Sequence, residues 1–178
     1  MSSGVVFVRP FSATDAMSLY AAVQSSIETF SLRLPWAVSG YNQESAENYI
    51  AYSMNCWFEN SAFPLGIFDA FSGKVIGGAG IHNVNKAYDI GSIGYWVAEN
   101  YRNKGVAKAA ARLSANIGFN DLGLQRLEIV INKNNTLSEK VALSIGAKLE
   151  GVARNRLKTN GVQSDALVYS LIPSDLVS

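Results

Sequence analysis

"IGYWVAENYRNKGVAKAA", Ile93 to Ala110, contains the change of period that decides the fold. Up to Val97 the stretch is rich in β-branched and aromatic residues, which is strand composition. Beyond Gly105, Val106, Ala109, Ala110, Leu113 and Ile117 recur at helical spacing, giving a helix with one apolar face. A basic loop joins the two. A helix start leaves its first backbone N–H groups without partners and carries partial positive charge. Arg102 and Lys104 add full charges, and Gly105, lacking a Cβ, lets a bulky anion approach the backbone. From this stretch alone two readings stay open: a phosphate seat, and a solvated basic turn whose glycine relieves strain.

The rest of the chain narrows the choice. At 178 residues it is long enough for one domain with a real core, and residues 1–178 read as a single domain without a linker. Hydrophobic content of 48% against 16% charged is that of a globular protein. A net charge of +1 gives no long-range pull toward nucleic acid or an anionic membrane, so neither is expected as a partner and any anion site is local. Cys56 is the only cysteine, so no internal disulfide forms, which suits a reducing compartment. "MSSGVVFVRPF" lacks the pattern of a signal peptide, and no apolar run reaches the roughly 18 residues of a membrane span. A cytoplasmic location is expected.

Moving outward, Val5 to Arg9 reads as a first strand. Ser12 and Asp15 of "SATD" form an acidic capping box for a helix bearing Ala16, Leu19, Tyr20, Val23 and Ile27 on one face. "RLPWAVSGYN" breaks it, and a second helix runs from about Gln43 to Glu59. Phe63 to Asp69, Val75 to Ile81 and Tyr88 to Val97 read as an antiparallel meander with turns at "FSGK" and "HNVN". After the helix at Gly105, "NDLGL" is a stop and Gln125 to Ile131 is a strand. Leu137, Val141, Ala142 and Ile145 mark a helix closed by Gly146. Lys148 to Leu157 and Val162 to Ile172 are final strands joined by a turn at "KTNG". The order β-α-α-β-β-β-α-β-α-β-β is an α/β or α+β domain.

Two rival chemistries fail on spacing. "IGGAGIHN" holds Gly77, Gly78 and Gly80, but no third fingerprint glycine follows, and a turn and strand come next instead of a helix. The Gly-x-x-x-x-Gly-Lys-Ser/Thr pattern is absent. His82 is the only histidine, which argues against a structural zinc site, and no metal is expected. A Cys56/His82 nucleophile pair is disfavoured by the same sparseness.

"IGYWVAENYRNKGVAKAA" followed by "LEIVINKNNTLSEKVALSIGAKLEG" resembles the GCN5-related N-acetyltransferases, and within them the RimJ/RimL-like ribosomal-protein branch. Arg102, Gly105 and Ala107 match the family's pyrophosphate loop, Arg/Gln-x-x-Gly-x-Gly/Ala. Gly94, Tyr95 and Trp96 match its "GYW", and Asn135 to Ser138 its "N-x-x-S". Gly146, Glu150 and Gly151 match "G-F-x-x-E-G", with Ala147 replacing the usual aromatic residue.

The resemblance implies a mostly antiparallel mixed sheet, splayed at its centre and flanked by helices. It implies acetyl-CoA as donor, coenzyme A as product and a primary amine as acceptor. Pantetheine would lie between the strands ending at Val97 and Ile131, in a form of strand addition. Asn103, Lys104, Gly105, Val106 and Ala107 would seat the pyrophosphate, with Arg102, Trp96, Val97 and Asn135 beside the cofactor. A main-chain N–H near Val97 would polarise the thioester carbonyl. Ser138 is the catalytic candidate, as hydrogen-bond donor to the departing thiolate, although its place in a first helical turn also suits a backbone cap. Trp36, His82 and Asn83 would border the acceptor.

Relatives often carry Glu immediately before "IGYW", where this chain has Ser92. A missing base favours an acceptor that is already partly neutral. An α-amine has a pKa of about 7.7–8.0, against about 10.4 for lysine. A protein N-terminus is therefore the expected acceptor, with a small-molecule amine as alternative and a non-catalytic acyl-CoA sensor as a further one. A C-terminal edge strand would allow a homodimer.

Overall fold

The computed structural model of the chain describes residues 6–31, 36–37, 40–159 and 161–176. The strands are β1 (Val6–Arg9), β2 (Phe63–Asp69), β3 (Val75–Asn85), β4 (Ile90–Val97), β5 (Arg126–Asn132), β6 (Lys148–Thr159) and β7 (Val162–Leu171). The helices are α1 (Ala16–Gln24), α2 (Ile27–Ser31), α3 (Gln43–Glu59), α4 (Val106–Asn116) and α5 (Thr136–Ser144). One seven-stranded sheet runs β1-β2-β3-β4-β5-β7-β6. Every neighbouring pair is antiparallel except β4 and β5.

Side-chain alternation divides the core between the two faces of this sheet. Val6, Val8, Leu65, Ile67, Ile93, Val97, Leu127, Ile129 and Ile131 pack with Val106, Ala110 and Leu113 of α4. Phe11, Leu19, Val23, Phe30, Ile50 and Phe68 form a second cluster under α1 to α3. Arg9 ties the first strand to this cluster. Its guanidinium makes two bonds to the buried Asp15 carboxylate, at 2.7 and 2.8 Å, and lies 3.9 Å above the Phe68 ring. Among the described residues no helix is long and apolar enough to cross a membrane.

Three expectations change. The first helix stops at Gln24, and Ile27 belongs to the short α2. Ser25 Oγ donates to the Ala22 carbonyl, and Ser26 Oγ accepts from Glu99 N, so serine hydroxyls take over backbone partners at the break. "HNVN" is no turn. β3 continues through it with a register shift between His82 and Asn85, Asn83 taking the left-handed φ of 52°. Asparagine tolerates that conformation in a bulge as well as in a turn. The turn falls at residues 86–89, where Asn85 Oδ1 accepts from Ala87 N. Third, β7 is enclosed between β5 and β6, so the last strand is no edge; β6 is. Its register shifts, Gly151 and left-handed Asn155 interrupt the pattern another strand would need to pair with.

Candidate active site

β4 and β5 pair only through Ile90–Arg126, Gly91–Leu127 and Ser92–Glu128, after which they part. The phase of the β3–β4 ladder tells which groups face the opening. Ala98 N donates to Ile76 O, and Gly78 and Gly80 stand opposite Trp96 and Gly94. In an antiparallel ladder the bonded positions alternate. The N–H groups of Tyr95 and Val97 therefore turn away from β3, toward the gap.

The loop after β4 folds back on the strand's end. Arg102 Nε donates to Val97 O at 3.2 Å, Arg102 Nη2 donates to Thr29 Oγ1, and the guanidinium lies 5.3 Å from the Phe30 ring centre. Its side chain thus fastens the loop to α2 and β4. Asn103 and Gly105 take left-handed φ values of 59° and 77°, so successive amides can curve into a concave nest. Nothing stands within 4 Å of the position a Cβ on Gly105 would occupy. The first N–H groups of α4, at Val106, Ala107 and Lys108, open onto this space. Lys104 is exposed, with Nζ 5.6 Å from the Tyr101 ring.

The opposite rim is the start of α5. Asn135 caps this helix, its side chain accepting from Ser138 N at 3.2 Å. Tyr95 Oη donates to the Ser138 carbonyl, also at 3.2 Å. Tyr95 therefore spans the gap from β4 to α5, and neither of these bonds uses the Ser138 hydroxyl. Burial pushes the Tyr95 hydroxyl up to about 12.

A cavity of about 540 Å³ lies on the α1–α3 side. Its walls include Trp36, Tyr41, Tyr49 and Trp96, with Leu19 and Val23 of α1 behind them. Trp36 and Trp96 rings stand 5.8 Å apart, Trp36 and Tyr41 6.2 Å, and Phe30 packs edge-on against Trp96 at 5.2 Å. Gln24 Nε2 donates to the Tyr41 carbonyl and fixes that segment. The floor is cleared by glycine. A Cβ on Gly78 would run into the Trp96 indole, and one on Gly80 would stand 3.1 Å from His82 Nε2. His82 lines the cavity beside Gly94, and burial lowers its pKa below the ordinary 6.5. No carboxylate lines the cavity among the described residues. The segment Leu32 to Asn42, which supplies Trp36 and Tyr41, contains no Asp or Glu at all.

The structure thus brings Val97, Asn103 to Ala107, Asn135 and Ser138 around one gap, and Trp36 and His82 into the adjoining cavity. Trp96, expected beside the cofactor, has its indole in the cavity wall, packed against Trp36 and Phe30. Asn83 is exposed in the bulge and does not line the cavity. Cys56 is buried in α3 and does not line it either. Tyr41, Tyr49 and Tyr95 were not singled out as site residues from sequence. One signal was available: glycines at alternate positions of β3, repeated at Gly94 of β4, mark a strand face stripped of side chains.

Comparison with known proteins places this geometry. Residues 6–148 match the family model of the acetyltransferase (GNAT) domain. The Bacillus subtilis protein YdaF, provisionally named a ribosomal N-acetyltransferase, is 32% identical over 139 residues, 77% of this chain and 76% of its own. A Vibrio cholerae structure, provisionally described as a ribosomal-protein-serine acetyltransferase, is 28% identical with a TM-score of 0.81, covering 97% of this chain and 96% of its own. The self-immunity acetyltransferase MccE, solved with acetyl-CoA and AMP, shares the fold with a TM-score of 0.87 at 24% identity, covering 96% of this chain and 93% of its own.

Proposed function

The chain belongs to the GNAT acetyltransferases and is an acetyl-CoA-dependent N-acetyltransferase, and on that premise we propose that its acceptor is a protein N-terminal α-amine. One observation carries the choice: the cavity beside the gap is aromatic-walled and has no carboxylate among its described lining residues. A polyamine keeps a second positive charge when one nitrogen reacts, and an acidic partner would favour its burial. A peptide N-terminus brings a single reacting amine and an apolar or small first side chain, which suits these walls.

The residues around the gap fit acetyl-CoA. Gly105 leaves open space at the start of α4, and the Tyr95 and Val97 amides face the gap. When bound, acetyl-CoA supplies an activated acyl group on a thiol leaving group. The amides from Asn103 to Ala107 would hold the pyrophosphate, chiefly through main chain and helix dipole. The Val97 N–H would polarise the acyl carbonyl. The Ser138 hydroxyl would hydrogen-bond the leaving sulfur, held in place by the Asn135 cap. The Arg102 side chain positions the loop, and Trp36 and Trp96 border the acceptor. We place the reaction in the cytoplasm, where acetyl-CoA and protein N-termini are both at hand.

The test is an acceptor screen read by intact mass, using peptides with free Ser, Ala or Met N-termini alongside spermidine and free amino acids. Acetylation of a peptide at its α-nitrogen is the expected result. Turnover confined to spermidine or another small amine would overturn the choice of acceptor. Acetyl-CoA binding with no turnover would point to a sensor.

A further inference from the structure

We propose that His82 is the general base of the transfer, its imidazole receiving the proton of the acceptor amine. The inference rests on acetyl transfer to an amine and is independent of which amine it is. The position comes first. His82 stands opposite Ser92 across the β3–β4 ladder, on the cavity face of the sheet. Cβ atoms on Gly80 and Gly94 would lie 3.1 and 3.5 Å from its ring, so the imidazole rests over two side-chain-free strand positions. Gly94 immediately precedes Tyr95, whose N–H faces the gap. The ring therefore sits where the cavity meets the donor site.

The surroundings leave this ring as the proton acceptor. Tyr41 and Tyr95 are pushed up to about 12 by burial, and Tyr49 is raised by the same cause, so all three stay protonated and neutral from pH 5 to 9. Ser45 of α3 and Ser92 of β4 carry hydroxyls, and α1 offers only Leu19 and Val23. Glu128 of β5 stands beside Ser92 in the same row across the sheet; its Oε1 accepts from Arg126 Nε and Nη2, and it does not line the cavity. Glu44, Glu47, Lys86 and Asp89 are exposed and do not line the cavity, and Arg33 lies outside the described residues. Burial lowers the imidazole pKa, which keeps the ring neutral, and so able to accept, at pH 7. In the step, the acceptor nitrogen bonds to the acyl carbon and the carbon–sulfur bond breaks. Its electron pair leaves on sulfur. The proton of nitrogen passes to His82, which returns one to solvent, while the thiolate takes up a proton.

Because His82 is the only histidine, its titration can be followed by NMR as a single imidazole in the intact protein. With the amine the screen returns as acceptor, kcat/KM is expected to rise through a pKa equal to the NMR value, below 6.5, since kcat/KM reports groups of the free enzyme. His82→Gln is expected to lose that limb. Its rate should fall about 100-fold at pH 6.5. The deficit should shrink below about 10-fold at pH 9, where an α-amine of pKa about 7.7–8.0 is already neutral. Acetyl-CoA affinity should be unchanged, and added imidazole should restore part of the rate to His82→Ala. A glutamine variant that keeps the wild-type pH profile with a rate within about threefold overturns the proposal. If neither variant folds, the wild type still decides: a kcat/KM profile with no limb at the NMR pKa, besides the one the free amine itself contributes, overturns it.

Discussion

The gap proposed for the donor and the cavity proposed for the acceptor lie side by side along β4, and they are built from different materials. The groups that face the gap are mostly main chain: the Tyr95 and Val97 amides, the left-handed turn at Asn103 to Gly105, and the first amides of α4. The cavity is made of side chains drawn from α1, the segment before α3, α3, β3 and β4. Backbone sites depend on conformation and tolerate many side chains. Side-chain cavities depend on which rings meet, so they can change acceptor while the donor site stays the same.

Gly105→Glu should break the donor side alone. A side chain at φ 77° is strained and would project a carboxylate into the anion seat. Acetyl-CoA KM is expected to rise about 100-fold or more, given the charge repulsion at a helix start. Fluorescence or calorimetric binding of coenzyme A checks this, and an unchanged affinity would show that the seat lies elsewhere.

Gly78→Ala is the mirror experiment. Its Cβ would meet the Trp96 indole, displacing a ring held by Phe30 and Trp36. Acceptor KM should rise about 10- to 30-fold, as expected for an overpacked wall, with acetyl-CoA affinity unchanged. A matched loss on both substrates would mean that the two regions are one.

Ser138→Ala addresses the shared edge. Loss of the hydrogen bond proposed to the developing thiolate is expected to lower kcat about 10-fold, with both KM values near wild type. Full retention of kcat in a steady-state assay would remove Ser138 from the mechanism.

The smallest effect lies outside both sites. Burial raises the Asp15 pKa, but the Arg9 pair and the Ser12 bonds outweigh it, and the net pKa is lowered below 3.8. Its contribution is therefore present above the unfolded value and lost as pH falls through the lower folded one. Asp15→Asn should cost about 1–3 kcal/mol at pH 7, with the difference from wild type shrinking below pH 3.8 in thermal melts. Both KM values should be unaffected.

Much of the local structure around the gap was legible in the residues. The α4 stripe, the glycine at its start and Asn135 with Ser138 all act within a few positions of one another, and short-range spacing survives in a linear reading. Gly105 takes a left-handed φ as well as leaving open space beside it. The boundary at "HNVN" was misread because an asparagine with positive φ serves a bulge or a turn equally well. The cavity was hidden for another reason. Tyr49 reads as one more apolar residue on α3, and Gly78, Gly80 and Gly94 as loose turn or motif glycines, until two strands are set side by side.

By itself the sequence determined the succession of the seven strands and the helix period after Gly105, since each depends on residues a few positions apart. Tertiary structure alone decided which face of β4 each residue presents, that Arg102 turns to Thr29 and Val97, that Trp96 joins Trp36, and that His82 lies over Gly94. Those outcomes depend on the phase of a strand ladder between residues far apart in the chain, and pairing phase is a property of the folded sheet.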